Sequence, residues 1–400
     1  MRVVVTTEAR LSRTPDGAIW TIGSDGHQFW TRYLSAFEQV RVVARVRDVP
    51  EREDDAIRVD GGQVEVWAVP HYVGPRGYLR SRRKIRHAVQ RAADHDDAVI
   101  LRVPSQIGAL LATERDRLRL PYGLEVVGDP YDVFAPGVIS HPLRPLLRQL
   151  FARTLRRQCA SAAAVSYVTE RWLQTRYPAR HDAVTGTYSS VDLPPAAYVP
   201  QPRRSTAPPQ APTLVSVGSL DQLYKGVDTL IEALAQLVGA GTDVRLVHVG
   251  HGRFRPRLEQ LVARLGVADR VDFLGALPSG EPVRRQLDAA DLFVMPSRTE
   301  GLPRALIEAM ARGLPAIGSR VGGIPELLPD EDLVGPNDPP GLARAIARTL
   351  ADPARMTEAS ARNLSRARHY SAASLADRRD TFYSQLRDSH RAADAVESSA

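Results

Sequence analysis

Short apolar runs, each followed by a turn of glycine or polar residues and then by a helix-like segment, recur along this chain and leave few folds open to it. The clearest instance is residues 291–313, DLFVMPSRTEGLPRALIEAMARG. Leu292 to Met295 has the size and composition of a buried strand. Pro296, Ser297, Thr299 and Gly301 break the run. Pro303 then falls where proline suits the first helical turn, and Gly313 where glycine ends a helix. The reading is strand, turn, helix, with Glu300 in the turn and Glu308 inside the helix. A turn at the carboxyl end of a strand, beside a helix N-terminus with free N–H groups, favours anions. A carboxylate in that setting suits a ligand that carries both hydroxyls and phosphates. Taken alone, the pair is equally a solvated loop residue and a wet helix face.

The same rhythm organises the rest. Strands are predicted at 2–6, 39–46, 63–69, 98–103, 124–127 and 165–168, with helices at 28–37, 76–91 and 141–158. After the first strand comes TPDGAIWTIGSDG, whose glycines, Gly17 among them, would let backbone approach a ligand. Residues 194–213 hold seven prolines and too little apolar material for a core, so they read as an extended linker. Strands then resume at 213–217, 244–250, 271–274, 292–295 and 315–318, with helices at 226–237 and 255–265. Strands alternating with helices indicate parallel α/β sheets. The expected division is a first domain over 1–193, a linker over 194–211, a second domain over 212–370, a C-terminal helix over 371–389 and a disordered polar tail over 390–400.

Composition narrows the function. A single cysteine, Cys159, excludes a disulfide framework and a cysteine-rich metal site. No apolar stretch is long enough to span a membrane, and the N-terminal run is too short for a secretion signal, so a cytoplasmic protein is expected. The net charge of +7 lies almost wholly in residues 1–200, at +6. Residues 76–91 and 141–158 are basic and contain no acid. Neither interleaves aromatics with its arginines as single-strand binders do, and no nucleic-acid motif appears, so no nucleic-acid partner is expected. An anionic membrane surface fits better, with an ordinary solvated face as the alternative.

Several features fall at the carboxyl ends of strands in the second domain. They are Gly218 and Ser219 with Lys225 at a helix start, Gly250 in VGHG, Gly275 in FLG, the Glu300–Gly301–Leu302 turn, and the pair Gly322–Gly323. Lys225 is one of only two lysines. A lysine, backbone N–H turns and two carboxylates suit a sugar nucleotide, the lysine facing diphosphate and the carboxylates facing hydroxyls. No P-loop or dinucleotide fingerprint occurs in the right context.

VGSLDQLYKGVDTLIEAL, DRVDFLGALP and PSRTEGLPRALIEAMARGLPAIGSRVGGIPELL resemble the C-terminal domain of glycosyltransferase family 4 over about residues 212–350. Residues 1–190 match more loosely. The resemblance implies the GT-B fold, two Rossmann-like domains with parallel sheets facing a central cleft, and a retaining reaction. It implies that Glu300 binds the donor sugar, Glu308 the nucleoside ribose, and Lys225 the diphosphate, with backbone at Gly301 and Leu302 meeting sugar or phosphate. It also implies that the C-terminal helix returns to the first domain. Two departures stand out. Ser219 occupies the place where the family often has an arginine partnering the lysine, which leaves Lys225 alone or with an arginine of the first domain. The histidine that the first domain often contributes has as its nearest counterparts Arg102 and the turn at Asp129.

The reading is thus a retaining glycosyltransferase that moves a sugar from a nucleotide diphosphate donor to a hydroxyl acceptor, lipid-linked acceptors included, in polysaccharide, glycolipid or glycosylated-metabolite synthesis. Lys225 and Glu300 are the catalytic candidates; Gly17, Arg102 and Asp129 are those for the acceptor side. No metal or other cofactor is expected. A sugar-nucleotide epimerase of the same fold, or a non-catalytic basic adaptor for membrane or nucleic acid, are the rivals.

Overall fold

In the computed structural model, residues 1–23, 25–133, 143–191 and 193–397 are described. The first sheet contains β1 (Arg2–Arg13), β2 (Ile19–Thr21), β3 (Gln39–Asp48), β4 (Ile57–Arg58), β5 (Val64–Pro70), β6 (Ala98–Val103), β7 (Gly123–Val126), β8 (Ala164–Tyr167) and β9 (Val184–Thr187). Its parallel body runs β5-β3-β1-β6-β7-β8-β9, and β2 and β4 add an antiparallel flap on the far half of β1. The second sheet is wholly parallel. It comprises β10 (Thr213–Val217), β11 (Arg245–Val249), β12 (Val271–Gly275), β13 (Leu292–Met295), β14 (Ala316–Ser319) and β15 (Leu333–Val334), in the order β12-β11-β10-β13-β14-β15.

The order of the second sheet follows from its sequence. Every side chain of β13 is buried, as a continuous apolar run requires. Leaving water stabilises each such side chain by about 1.5–3 kcal/mol. Leu230, Ile231 and Leu234 of the helix Val227–Gly239 cover one face together with Leu342 and Ile346 of Pro339–Leu350. Leu306, Ile307 and Met310 of Arg304–Ala311 pack with Phe293 in a separate cluster. The chain winds from β10 outward through β11 and β12, then crosses back to β13. The crevice between the carboxyl ends of β10 and β13 is therefore the switch point where an open α/β sheet binds ligands.

Several expectations change. The first strand does not stop at residue 6; it bulges between Thr6 and Arg10 and continues beside β3 to Arg13. Part of the glycine loop is therefore strand β2, and Gly17 lies at the exposed tip of the β1–β2 hairpin. The helix foreseen at 28–37 is one α turn, His27–Trp30, followed by the 3-10 turn Thr31–Ser35. Residues 106–118, which gave no helix in the sequence reading, form the helix Gln106–Leu118. The tail is not disordered from residue 390: the last helix is Ala372–Glu397, and His390 is buried. The helix foreseen at 141–158 is Arg144–Ser161; residues 141 and 142 lie outside the described part.

The last helix packs on the first sheet, at β6, β8 and β9. Phe382, Tyr383 and Leu386 are buried there. Tyr383 donates to Glu125 at 2.8 Å, and Tyr33 and Tyr188 donate to the same carboxylate at 3.0 Å each. The domains also meet directly. Glu326, from the 3-10 turn after Gly322–Gly323, accepts from the backbone N–H groups of Glu170, Arg171 and Trp172 at 2.6, 2.9 and 2.7 Å. Arg366 joins the contact by donating to Glu170 and to the Glu326 carbonyl.

Candidate active site

Lys225 and Glu300 come together at the switch point. Lys225 ends the 3-10 turn Leu223–Lys225 after β10, and Glu300 lies in the turn after β13. The Lys225 Nζ donates to Glu300 Oε1 at 2.7 Å. Ser297 Oγ donates to the same oxygen, also at 2.7 Å. The side chains are 17% and 8% exposed, so the pair is largely removed from water. Burial pulls the Lys225 pKa down, but the Glu300 charge and hydrogen bond outweigh it and leave it raised. Arg298 fixes the lysine turn from behind with a bidentate pair to Asp228, at 2.9 Å on each oxygen. It also donates to the Leu223 carbonyl. The turn itself requires glycine after the lysine. Gly226 has φ +68°, and a Cβ there would lie 2.0 Å from the Pro296 carbonyl oxygen.

Glu308 sits on the helix Arg304–Ala311, four residues after Arg304 and on the same face. Burial raises its pKa, partly countered by Arg304 and Arg284. Both arginines and Glu308 line an interdomain cavity of about 620 Å³, whose opposite wall includes Gly26, His27 and Gln28. The Arg304 charge also reaches Lys225. Lys225 and Glu300 do not line this cavity. The domains close over their end of the cleft, where the Gly301 Cα faces the Val127 carbonyl of the first domain so closely that a Cβ would stand 2.8 Å from it.

The other glycines cluster around the same edge. Gly323 donates its N–H to the Gly301 carbonyl at 2.8 Å, and a Cβ on Gly322, with φ +55°, would lie 1.9 Å from the Glu300 carbonyl oxygen. Gly250 donates to the Gly275 carbonyl at 2.8 Å, and Gly218 lies beneath the Lys225 methylenes. Ser219 is exposed, its Oγ 3.3 Å from Asp221. Leu302 is buried behind the turn.

The acceptor-side candidates are placed differently. Gly17 is on the exposed hairpin tip and does not line the interdomain cavity. Asp129 is buried and accepts from Arg176 at 2.6 Å and from the Tyr177 hydroxyl, so it braces its own domain. Arg102 donates to the buried Glu125 at 3.0 Å, within the tyrosine cluster described above. The histidine facing Glu308 is His27, two residues past Asp25 in the glycine loop, and sequence reasoning passed over it. Arg304 was also missed. Its signal was the position four residues before Glu308 at a helix start.

The family model for glycosyl transferases group 1 matches residues 211–352. Among curated relatives, 2-deoxystreptamine glucosyltransferase of Streptomyces kanamyceticus is 30% identical over 280 residues, which is 64% of this chain and 69% of that one. Protein CapJ of Staphylococcus aureus is 26% identical over 330 residues, 81% of this chain and 80% of its own. Among solved structures, Anabaena HepE in complex with UDP-glucose superposes with a TM-score of 0.63 at 18% identity, covering 98% of this chain and all of that one, 100%. The fold is GT-B, and the chain belongs to the group 1 glycosyltransferases.

Proposed function

We propose that the enzyme transfers a sugar, with retention of configuration, from a nucleotide diphosphate sugar to an acceptor hydroxyl in polysaccharide or glycoconjugate synthesis. The observation that carries this is the Lys225–Glu300 pair at 2.7 Å at the sheet's switch point, with Glu308 at the neighbouring interdomain cavity. Breaking the glycosidic bond puts positive charge on the sugar and negative charge on the departing diphosphate. Lys225 meets the diphosphate, and the donor displaces it from its resting contact with Glu300. The freed Glu300 carboxylate accepts hydrogen bonds from sugar hydroxyls, and Glu308 accepts from the ribose. Arg304 supplies the second cation that Ser219 cannot, from the same domain rather than the first. Backbone at Gly301 and Leu302, and the glycines at 218, 250, 275, 322 and 323, let the donor lie close to the main chain. No metal is called for, because these cations face the leaving charge.

A peripheral place on an anionic membrane surface fits the first domain. The helix Arg144–Ser161 carries Leu146 and Leu150, exposed at 64% and 54%, among five arginines at 144, 148, 153, 156 and 157. The basic helix Gly74–Gln90, which packs on the same helix Gln106–Leu118 as Arg144–Ser161 does, exposes Leu79. No helix among the described residues is long and apolar enough to cross a membrane.

The test is product analysis with a panel of nucleotide sugars, in chelator and with added magnesium. Transferred sugar whose anomeric configuration matches the donor supports the reading. Inverted product removes retention, epimerised donor makes the protein an epimerase, and activity lost in chelator removes metal independence.

A further inference from the structure

β11 carries a histidine where its sheet calls for an apolar residue. Strands covered on both faces are built mainly from apolar side chains. His248, paired with Ser216 of β10 and Phe273 of β12, is nevertheless wholly buried. The register with β12 shifts directly after it, between His248 and Val249, and such irregularities collect beside functional sites. Phe273 meets the imidazole edge-on, with ring centroids 6.1 Å apart, and fixes its plane.

The imidazole Nε2 lies 3.1 Å from the Gly218 carbonyl oxygen. A carbonyl only accepts, so Nε2 carries the proton and Nδ1 keeps a lone pair. Nδ1 is buried and has no partner among the described residues. Burial resists a second proton and lowers the His248 pKa to about 4, the bond to Gly218 opposing this only in part. The approach depends on Gly250. Its φ is +154°, and a Cβ there would lie 1.9 Å from the Gly218 oxygen and 3.0 Å from Nε2. Among the described residues no backbone N–H donates to the Gly218 oxygen, so the imidazole alone satisfies it.

The consequence lies at the other end of the same peptide group. A trans peptide points its C=O and N–H in opposite directions. Holding the Gly218 carbonyl inward therefore turns the Ser219 N–H outward, and Ser219 is exposed just past the carboxyl end of β10. The N–H groups on either side are engaged. Gly218 donates to the Val249 carbonyl and Leu220 to the His251 carbonyl, at 2.9 Å each, and Asp221 donates to Ser219 Oγ at 3.2 Å. The Ser219 N–H has no partner among the described residues. The Lys225 stem crosses directly over Gly218, where a Cβ would stand 3.1 to 3.2 Å from its Cγ, Cδ and Cε. An outward N–H beside an ammonium is a matched pair of donors for phosphate oxygens.

We propose, resting on the transferase reading, that His248 is a positioning residue: by holding the Gly218 carbonyl inward it aims the Ser219 N–H, alongside Lys225, at the donor's diphosphate.

Two variants of the full chain test this. Glutamine places its Nε2 as many bonds from the main chain as the imidazole Nε2 and can donate to Gly218; leucine fills similar space and cannot. His248→Leu and His248→Gln are titrated calorimetrically with UDP, ADP, GDP and dTDP, and thermal unfolding checks that each is folded at the assay temperature. Carbon-13 at glycine carbonyls and nitrogen-15 at serine leave three Gly–Ser amides in the NMR spectrum, and Ser219→Ala identifies the one at 219. In the unaltered protein and in His248→Gln that amide should shift as the best-bound diphosphate saturates, with affinities within about twofold of each other. In His248→Leu the affinity should fall roughly tenfold and the amide's response should shrink. Full affinity with an undiminished Ser219 response in His248→Leu overturns the assignment. Equal loss in both variants also overturns it, leaving His248 a packing residue. A Ser219 amide that ignores a diphosphate bound by the unaltered protein overturns it without any variant. No binding of any of the four nucleotides to the unaltered protein removes the donor reading itself, and the positioning role with it.

Discussion

Replacing Lys225 with alanine tests the donor site and the fold together. Sequence alone suggests that an isolated lysine at a helix start can be removed with little effect on folding. The structure changes that expectation, because Glu300 is only 8% exposed and has Lys225 and Ser297 as partners. Without the ammonium, a carboxylate stays out of water with one hydroxyl donor. Removing one partner of a buried pair costs about 3–5 kcal/mol, and the 17% exposure of Lys225 places this case nearer to about 2–3 kcal/mol. For a domain of this size that is a fall in Tm of roughly 4–12 °C. Lys225→Ala combined with Glu300→Gln removes the stranded charge and should recover part of the loss, a coupling that a double-mutant cycle reads directly. Transfer should fall by roughly 10- to 150-fold in Lys225→Ala, the value of one charged hydrogen bond to the leaving group. Calorimetric unfolding and steady-state transfer on the three variants supply the numbers. Additive stability changes would show that the ion pair does not exist in solution. Lost stability with full transfer activity would remove Lys225 from the reaction.

Three further outcomes are expected. Glu300→Gln should lower kcat more than it raises donor KM and leave nucleoside diphosphate affinity nearly unchanged, while Glu308→Gln should mainly raise KM and weaken that product's binding; the opposite pattern in kinetics and calorimetry reverses their roles. Burial holds His390 neutral, with its pKa lowered to about 4 and Arg115 adding to the effect. Its contribution to stability is thus complete above about 6.5, the unfolded value, and lost as pH falls toward 4. His390→Gln should flatten the decline in Tm between those limits, and an unchanged slope would count against the burial. Sedimentation with anionic vesicles should retain the protein at low salt and release it at high salt, with Leu146→Glu weakening retention; equal partitioning to neutral vesicles would leave the basic helices as a solvated face.

The second domain was largely legible because each of its strands is a short apolar run closed by a turn, and local patterns decide such elements. The meeting of Lys225 with Glu300 was legible only as two residues at strand ends; the ion pair depends on which strands are neighbours, and that is a property of the winding order. The first domain was harder. The far half of β1, Glu8 to Arg13, alternates polar and apolar residues without a run, and its pairing with β2 and β3 is non-local. Phe29, Tyr33 and Phe37 are spaced like a helix, yet the Trp30 indole donates to the Asp25 carbonyl and the chain tightens into a 3-10 turn instead. Arg102 and Asp129 were drawn to the cleft by position at strand ends, whereas buried partners in their own domain hold them.

Glu326 has a consequence for how such an enzyme can diversify. Its carboxylate grips the first domain through three backbone N–H groups, which every residue but proline carries, so this contact places little demand on the side chains at 171 and 172, whereas the Glu170 carboxylate also meets Arg366. The first domain can therefore drift in sequence at residues 171 and 172 without losing its seat on the second. The reverse freedom is absent: Glu326 follows directly on the Gly322–Gly323 turn that packs against Glu300 and Gly301. A substitution there would disturb docking and the Glu300–Gly301 turn at once. Tolerance for change is thus unequal across the interface, wide on the side that offers backbone N–H groups and narrow on the side of Glu326 and its glycine turn.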